Sequence, residues 1–340
     1  MADLRSYLEH AVTHHASDLF IVAGCPVSEK IERHIHLVEE KKLYPPDTEQ
    51  LIREIYTLAQ RPMDHYLATS DDDFSFAIPG LSRFRVNAYR QRNSLAAVVR
   101  VVSFDIPKWE DIHIPAQVMD LSDITHGMIL FTGTAGSGKS TTQACIIDRI
   151  NRTRDCHIIT LEDPIEYLHK NQRSIVSQRE IAIDTADYLS ALRSCLRQAP
   201  DVILLGEMRD PETIRTAITA AETGHTVIAT MHTKGAVNAI ERMIDSFSGT
   251  HQAQIRFQLA NVLRTVVSQQ MIPDKSGNVI PAFELMHINS AIRAMIRDNK
   301  NHQINNAIAS SSFGSKLITA PSVSVTSPTS IGRMRVIFGT

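Results

Sequence analysis

The segment Gly133-Thr134-Ala135-Gly136-Ser137-Gly138-Lys139-Ser140 fits the pattern G-x-x-x-x-G-K-[ST] at every fixed position. An apolar run, Met128-Ile129-Leu130-Phe131, precedes it, and a helical pattern over 141–149 follows. This strand–loop–helix context constrains the fold more than any other feature of the chain. Its glycines let backbone N–H groups turn inward around phosphate oxygens. The helix behind the loop presents its positive end to the same anion. Lys139 is expected to reach the β- and γ-phosphates and the Ser140 hydroxyl to ligate Mg²⁺, with Thr141 next to them, so the implied ligands are ATP and Mg²⁺.

The sequence on either side differs in pattern. From Gly127 onward, apolar strand-like runs at 128–132, 157–162, 202–206 and 226–231 alternate with helical segments. Such alternation predicts an α/β domain with a mostly parallel sheet under helices. Upstream, the pattern predicts a helix over 3–15, a strand over 17–24, a helix over 48–59, and strands over 74–78, 83–89 and 95–102, with a turn at Pro79-Gly80. That is a small α+β module. Residues 105–124 hold Pro107 and Pro115 without a sustained period and read as a linker. From Ser310 the chain is rich in Ser, Thr, Pro and Gly, which predicts an irregular tail over 310–340. The expected domains are therefore 1–104, a linker over 105–124, an ATPase domain over 125–309 and the tail.

Composition narrows the partners. The 340 residues carry a net charge of −2 and only 6% aromatics, which argues against a nucleic-acid groove or base-stacking platform. No run approaches the roughly 20 apolar residues that cross a bilayer, and Met1-Ala2-Asp3-Leu4-Arg5 has no signal-like apolar stretch. The four cysteines, Cys25, Cys145, Cys156 and Cys195, form no CxxC pair, so reduced thiols are expected.

Gripping ATP is not hydrolysing it. A carboxylate must position the attacking water, and oxygen donors must hold the metal. Two acidic clusters follow expected strands: Glu162-Asp163-Pro164-Ile165-Glu166 and Gly206-Glu207. In open parallel sheets ligands bind at the carboxyl ends of strands, which favours Glu162 and Glu207 as catalytic, Mg²⁺-linked acids and Asp163 and Glu166 as nucleotide-site acids. Glu207 could instead be a solvated acid paired with Arg209, and the first cluster could serve a helix N-terminus. His225 and His232 bracket the strand over 226–231. His232 could sense or polarise the γ-phosphate and His225 could join the nucleotide site, or either could be structural.

These motifs together resemble the secretion ATPase superfamily. The matching runs are 133–141, Ile159-Thr160-Leu161-Glu162-Asp163-Pro164-Ile165-Glu166-Tyr167, then 200–210 through Gly206-Glu207-Met208-Arg209-Asp210, and 221–233 with His225 and His232. In that family they are the Walker A, Asp, Walker B and His boxes. Within it the chain is most similar to the type IV pilus retraction ATPases. Ala291-Ile292-Arg293-Ala294-Met295-Ile296-Arg297 looks like their AIRNLIR motif, with Ala294 and Met295 substituted, and Ala16-Ser17-Asp18-Leu19, Asp73-Phe74-Ser75-Phe76 and Arg83-Phe84-Arg85-Val86-Asn87 match their N-terminal half.

The resemblance implies a RecA-like P-loop ATPase domain preceded by a PAS-like domain, assembled as a homohexamer, with ATP between the two domains of a subunit. It implies that Arg85 and Arg100 reach the γ-phosphate, with Arg83 a competitor; by chemistry alone each could be a strand arginine paired on a sheet face. It further implies twitching motility driven by pilus retraction, an inner-membrane platform protein as partner, a second retraction ATPase beside it, no nucleic acid, and a cytoplasmic location at the inner face of the membrane. The four-cysteine module of the extension and secretion ATPases has no counterpart after Cys195. Three features depart from the family. The loop opens Gly-Thr-Ala-Gly instead of G-P-T-G, the AIRNLIR-like segment is changed, and Ser310-Ser311-Ser312-Phe313-Gly314 stand where G-G-S-L-G-M-Q-T-L-D continues. An accessory ATP-binding ring subunit and a pilus extension ATPase are the alternative readings.

Overall fold

The computed structural model describes residues 3–31, 34–102, 106–273, 279–304 and 316–318. They divide into two compact units, one formed by the described residues up to Val102 with Glu166–Leu168, the other by Ile106–Ile165 and the described residues from His169 on.

The first unit contains α1 (Leu4–Thr13), β1 (Asp18–Ile21), β2 (Pro26–Ile31), β3 (His34–Lys42), α2 (Pro45–Leu58), α3 (Asp64–Thr69), β4 (Asp71–Ile78), β5 (Ser82–Gln91) and β6 (Ser94–Val102). Asp3 caps α1 by accepting from the Ser6 N–H, and the helix buries Leu4, Tyr7, Leu8 and Ala11 at helical spacing. The strands form one six-stranded antiparallel sheet in the order β3-β2-β1-β6-β5-β4. Alternation places Phe74, Phe76 and Ile78 of β4 in the core with Leu51, Ile52 and Ile55 of α2. Two strands escaped the sequence pattern. β2 has a proline and charged residues, and β3 is an exposed edge whose apolar Ile35 and Leu37 face solvent.

The second unit begins with α4 (Ala116–Met119) and a 3-10 turn over Asp120–Asp123. These residues correct the linker expected over 105–124. Ile114, Val118, Met119 and Leu121 are buried against Ile146, Ile147 and Ile150, so from Ile114 on the segment is part of the second unit's core. Each such buried aliphatic contributes about 1.5–3 kcal/mol, which outweighs the missing periodicity.

Then come β7 (Gly127–Thr132), α5 (Lys139–Thr153), β8 (His157–Glu162), β9 (Ile175–Glu180), α6 (Tyr188–Cys195), β10 (Val202–Leu205), α7 (Pro211–Glu222), β11 (Thr226–Met231), α8 (Ala236–Asp245), α9 (Gly249–Val262), β12 (Leu263–Pro273), β13 (Val279–His287), α10 (Ser290–Arg297) and β14 (Lys316–Ile318). The eight-stranded sheet runs β14-β13-β12-β7-β11-β10-β8-β9. It is parallel from β12 to β9, and β13 and β14 add on antiparallel. β7 is buried on both faces: Met128 and Leu130 join one core cluster and Ile129 and Phe131 the other. A strand covered on both sides must be apolar throughout, which is why it reads as a continuous run. α10 buries Ile292 and Ile296 with Met295 packed beside them, and Asn289 caps it. Of the tail expected to be irregular over 310–340, Lys316–Ile318 pair instead with β13; the rest of it lies outside the described residues.

Candidate nucleotide site

Gly133, Gly136 and Gly138 take φ of +151°, +75° and +81°, values that L side chains resist. At Gly133 the constraint is also steric. A Cβ there would sit 2.3 Å from the Gln269 carbonyl oxygen of β12. Lys139, 6% exposed, donates from Nζ to the carbonyls of Gly133 and Thr134 at 2.8 Å each. The ammonium is thus folded back over the loop it serves. Thr132 Oγ1 and Thr233 Oγ1 lie 2.6 Å apart and tie the loop's entry to the residues after β11. Ser140 and Thr141 occupy the first turn of α5, where amide groups have no intrahelical acceptor.

Strand order gathers the other groups. β7, β11, β10 and β8 are parallel neighbours in register, with Thr132 opposite Met231 and Leu205 opposite Ala229 and Leu161. Their carboxyl ends therefore carry, side by side, the loop, His232, Glu207 and Glu162. Glu207, with a side chain 15% exposed, holds Arg209 Nη2 at 2.6 Å and His232 Nε2 at 3.6 Å. Glu162 accepts from Thr160 Oγ1 at 2.6 Å and Gln178 Nε2 at 3.2 Å. Gln143 of α5 donates to Thr230 Oγ1 at 2.9 Å, linking the loop's helix to β11.

Tyr188, at the start of α6, escaped the sequence reading. Its hydroxyl lies 3.0 Å from where a Cβ on Gly206 would stand. Burial, then the charges of Asp163 and Glu207, push its phenol well above the usual tyrosine range, and Glu162 adds to this against the opposing pull of Arg209. One neutral hydroxyl thus senses three carboxylates.

The β12 wall also went unseen. Thr132–Ser137, Lys234, Gly235 and Ser268–Met271 line a cavity of about 340 Å³. Ser268 Oγ and Gln269 Oε1 are buried there without a hydrogen-bond partner among the described residues. Unpartnered buried oxygens beside a phosphate-type loop suit a polar ligand. A second cavity of about 400 Å³ shares Gln269 and Met271 with the first and extends past Gly138 to Ile112, His113 and Pro281. The signal was present in the sequence as Ser268-Gln269-Gln270 interrupting an apolar strand.

Not every expected residue arrives. His225 precedes β11, at the end away from the loop, where its Nδ1 meets the Ala220 carbonyl at 2.8 Å and its own carbonyl accepts from Gly127 N–H. The strand separates it from His232 by about 20 Å, so within this chain it caps α7 at the opposite end of β11 from the loop. Asp163 is exposed but close enough to act on Tyr188. Glu166 is exposed and groups with the first unit. Arg85 and Arg100 face one another across β5 and β6. Arg85 forks onto Asp73 at 3.0 and 2.6 Å, and Arg100 Nε donates to Asp18 at 3.0 Å.

Residues 1–281 match the type II/IV secretion system protein family. The chain belongs to that family. It is 40% identical over 307 residues to the type IV pilus retraction ATPase PilT of Pseudomonas aeruginosa, covering 90% of this chain and 88% of that one. It is 41% identical over 298 residues to the uncharacterised protein YggR of Escherichia coli, covering 88% and 90%. A crystal structure of the pilus retraction motor PilT with bound ADP matches with a TM-score of 0.84 at 40% identity, over 92% of this chain and 91% of that one. As a secretion ATPase, the chain is an ATP-hydrolysing enzyme built on the P-loop fold described above.

Proposed function

We propose that this chain is a motor that hydrolyses ATP to drive pilus retraction, working as a homohexamer on a platform protein of the inner membrane from its cytoplasmic side. The observation that carries the enzymatic part is the row of loop, His232, Glu207 and Glu162 across four adjacent strand ends. The retraction part rests on the similarity to PilT and on the segment Ala291 to Arg297. No helix among the described residues is long and apolar enough to cross a membrane, which accords with attachment through a partner.

The loop amides and Lys139 bind the β- and γ-phosphates, for which Lys139 must exchange its two carbonyl partners for phosphate oxygens. Glu207 orients the attacking water and takes its proton, and His232 holds the carboxylate and reports on the γ-phosphate. Ser140, Glu207 and Glu162 offer the oxygen donors that a hard divalent cation prefers; they would hold Mg²⁺, directly or by way of water, and the ion would supply positive charge beside the phosphates. The cavity against Ile112, His113 and Met271 receives the base and ribose. Arg85 and Arg100 serve as further phosphoryl-neutralising groups, as the family resemblance implies. The test is steady-state phosphate release from Glu207→Gln and Lys139→Ala. Wild-type turnover in either one would overturn the assignment.

A further inference from the structure

The N-terminal unit carries a group of side chains that the ATPase reading leaves unused. His10 on α1 and His14, the C-cap that follows it, stand four residues apart, and the His14 N–H still donates to the His10 carbonyl, which keeps both on one side of the helix. That side is fixed to the sheet. Tyr7 donates to Glu39 Oε1 of β3 at 2.6 Å, and the Leu4 N–H donates to Glu54 Oε2 of α2 at 3.0 Å. Facing the histidines is Glu29 of β2, a carboxylate only 3% exposed. His10, at 3.1 Å from Nδ1 to Oε2, is its one hydrogen-bond partner among the described residues. A buried carboxylate is costly to hold unless a cation compensates it, and a histidine does so only when protonated.

The geometry fits metal ligation. Two ligands at about 2.0–2.1 Å from a tetrahedral ion are roughly 3.3 Å apart. The Glu29 oxygen and the His10 nitrogen already sit 3.1 Å from each other. His14 Nδ1 lies 2.9 Å from the His10 carbonyl oxygen, which can only accept, so Nδ1 carries the proton and Nε2 of the neutral ring carries the free lone pair. A backbone acceptor on the far ring nitrogen is how ligating histidines are commonly oriented. The two rings stack with centroids 3.9 Å apart, and one donor atom from each of the three residues falls within 4.8 Å of the others. His36 stands directly across β2 and β3 from Glu29 and rises from the same sheet face.

We propose that His10, His14 and Glu29 form a binding site for one divalent transition-metal ion of the zinc class, separate from the Mg²⁺–nucleotide site. Two imidazoles and a carboxylate select such an ion over Mg²⁺ or Ca²⁺, which favour all-oxygen shells. The ion takes the place of the proton between His10 and Glu29, and His14 closes onto it by rotation of an exposed side chain. Bound there, it staples α1 to β2.

The full chain, stripped with chelator and free of nucleotide and Mg²⁺, is titrated with Co²⁺ and with Zn²⁺. The wild type is expected to bind one Co²⁺ with the visible absorption of a low-coordinate site, and Zn²⁺ is expected to raise its melting temperature. His10→Ala/His14→Ala should lose both effects. The exposed-site variant His14→Gln should bind Zn²⁺ at least tenfold more weakly while melting like the wild type in chelator, and it keeps the test valid even where the double variant folds poorly. Mg²⁺-dependent ATPase activity should be unchanged in His14→Gln. Equal Co²⁺ stoichiometry and Zn²⁺ affinity in wild type and His14→Gln, or no Co²⁺ bound by the wild type, would overturn the proposal.

Discussion

Arg209 Nη2 lies 2.6 Å from one oxygen of Glu207, whose other oxygen is 3.6 Å from His232 Nε2. The Glu207 side chain is 15% exposed and that of Arg209 69%, so the carboxylate is mostly enclosed and the guanidinium is mostly in water. The hydrogen bond to Glu207 also pushes the Arg209 pKa up. Glu207 is thus held by Arg209 from its own segment after β10 and by His232 from the end of the adjacent β11. Glu207→Gln keeps the shape and removes the base. It is expected to lower ATP turnover by about 10²–10³-fold while leaving nucleotide affinity within a few-fold, measured by phosphate release and by titration with a fluorescent ATP analogue. A parallel loss of affinity would show that Glu207 serves binding and not the chemical step.

The loop glycines should separate by cause. Gly133→Ala places a methyl 2.3 Å from a backbone oxygen at φ +151°, whereas Gly136→Ala meets open space at φ +75°. Gly136→Ala is expected to cost about 1 kcal/mol of backbone strain, and Gly133→Ala about 3 kcal/mol or more, because β12 must shift. Chemical denaturation of both variants reads the difference. Equal losses would mean that φ alone governs the loop.

Much of this site could be read from the sequence because its physics is local. The glycine pattern marks the loop, and the strands of residues 128–132, 157–162 and 226–231 are apolar because helices cover both faces. What stayed hidden depends on strand order. Gln269 matters only because β12 lies beside β7, and Tyr188 only because α6 covers Gly206. The place of His225 depends on strand direction. His225 and His232 bracket one strand and are close along the chain, yet β11 sets them at opposite ends of the parallel sheet. In the first unit β4 and β5 alternate clearly, while β3 does not, since an edge strand in water has no buried face to write into its sequence, and the inner strand β2 hides its place by burying Ser28 and Glu29 beside Val27.

Arg85 and Arg100 should respond differently to removal. Arg85 pairs with an Asp73 side chain that is 45% exposed, and such pairs contribute under about 1 kcal/mol. Arg100 pairs with Asp18, whose side chain is 9% exposed and otherwise accepts from Ser17 Oγ. Arg85→Ala should be nearly neutral in urea denaturation, and Arg100→Ala should cost about 1–3 kcal/mol by leaving a buried carboxylate underpaired. Any loss of ATPase activity in folded Arg85→Ala then reports on catalysis, and wild-type turnover would remove Arg85 from the proposed mechanism.

Acid sensitivity should trace to His169. Burial pushes its ring pKa down to about 4 from an ordinary 6.5, and its Nδ1 has no partner among the described residues. Above pH 6.5 the ring is neutral in both folded and unfolded chains and contributes no pH dependence. Between pH 6.5 and about 4 the unfolded chain takes up a proton that the folded chain refuses, so stability falls with decreasing pH. The slope from this one residue is about 1.4 kcal/mol per pH unit, or roughly 3 kcal/mol across the window. Below pH 4 both forms are protonated and the contribution is constant. His169→Gln cannot take up that proton. Urea denaturation at pH 7.5 and pH 5.0 should therefore show a smaller acid loss for the variant than for the wild type, whatever its stability at pH 7.5. Identical losses would place the acid sensitivity elsewhere.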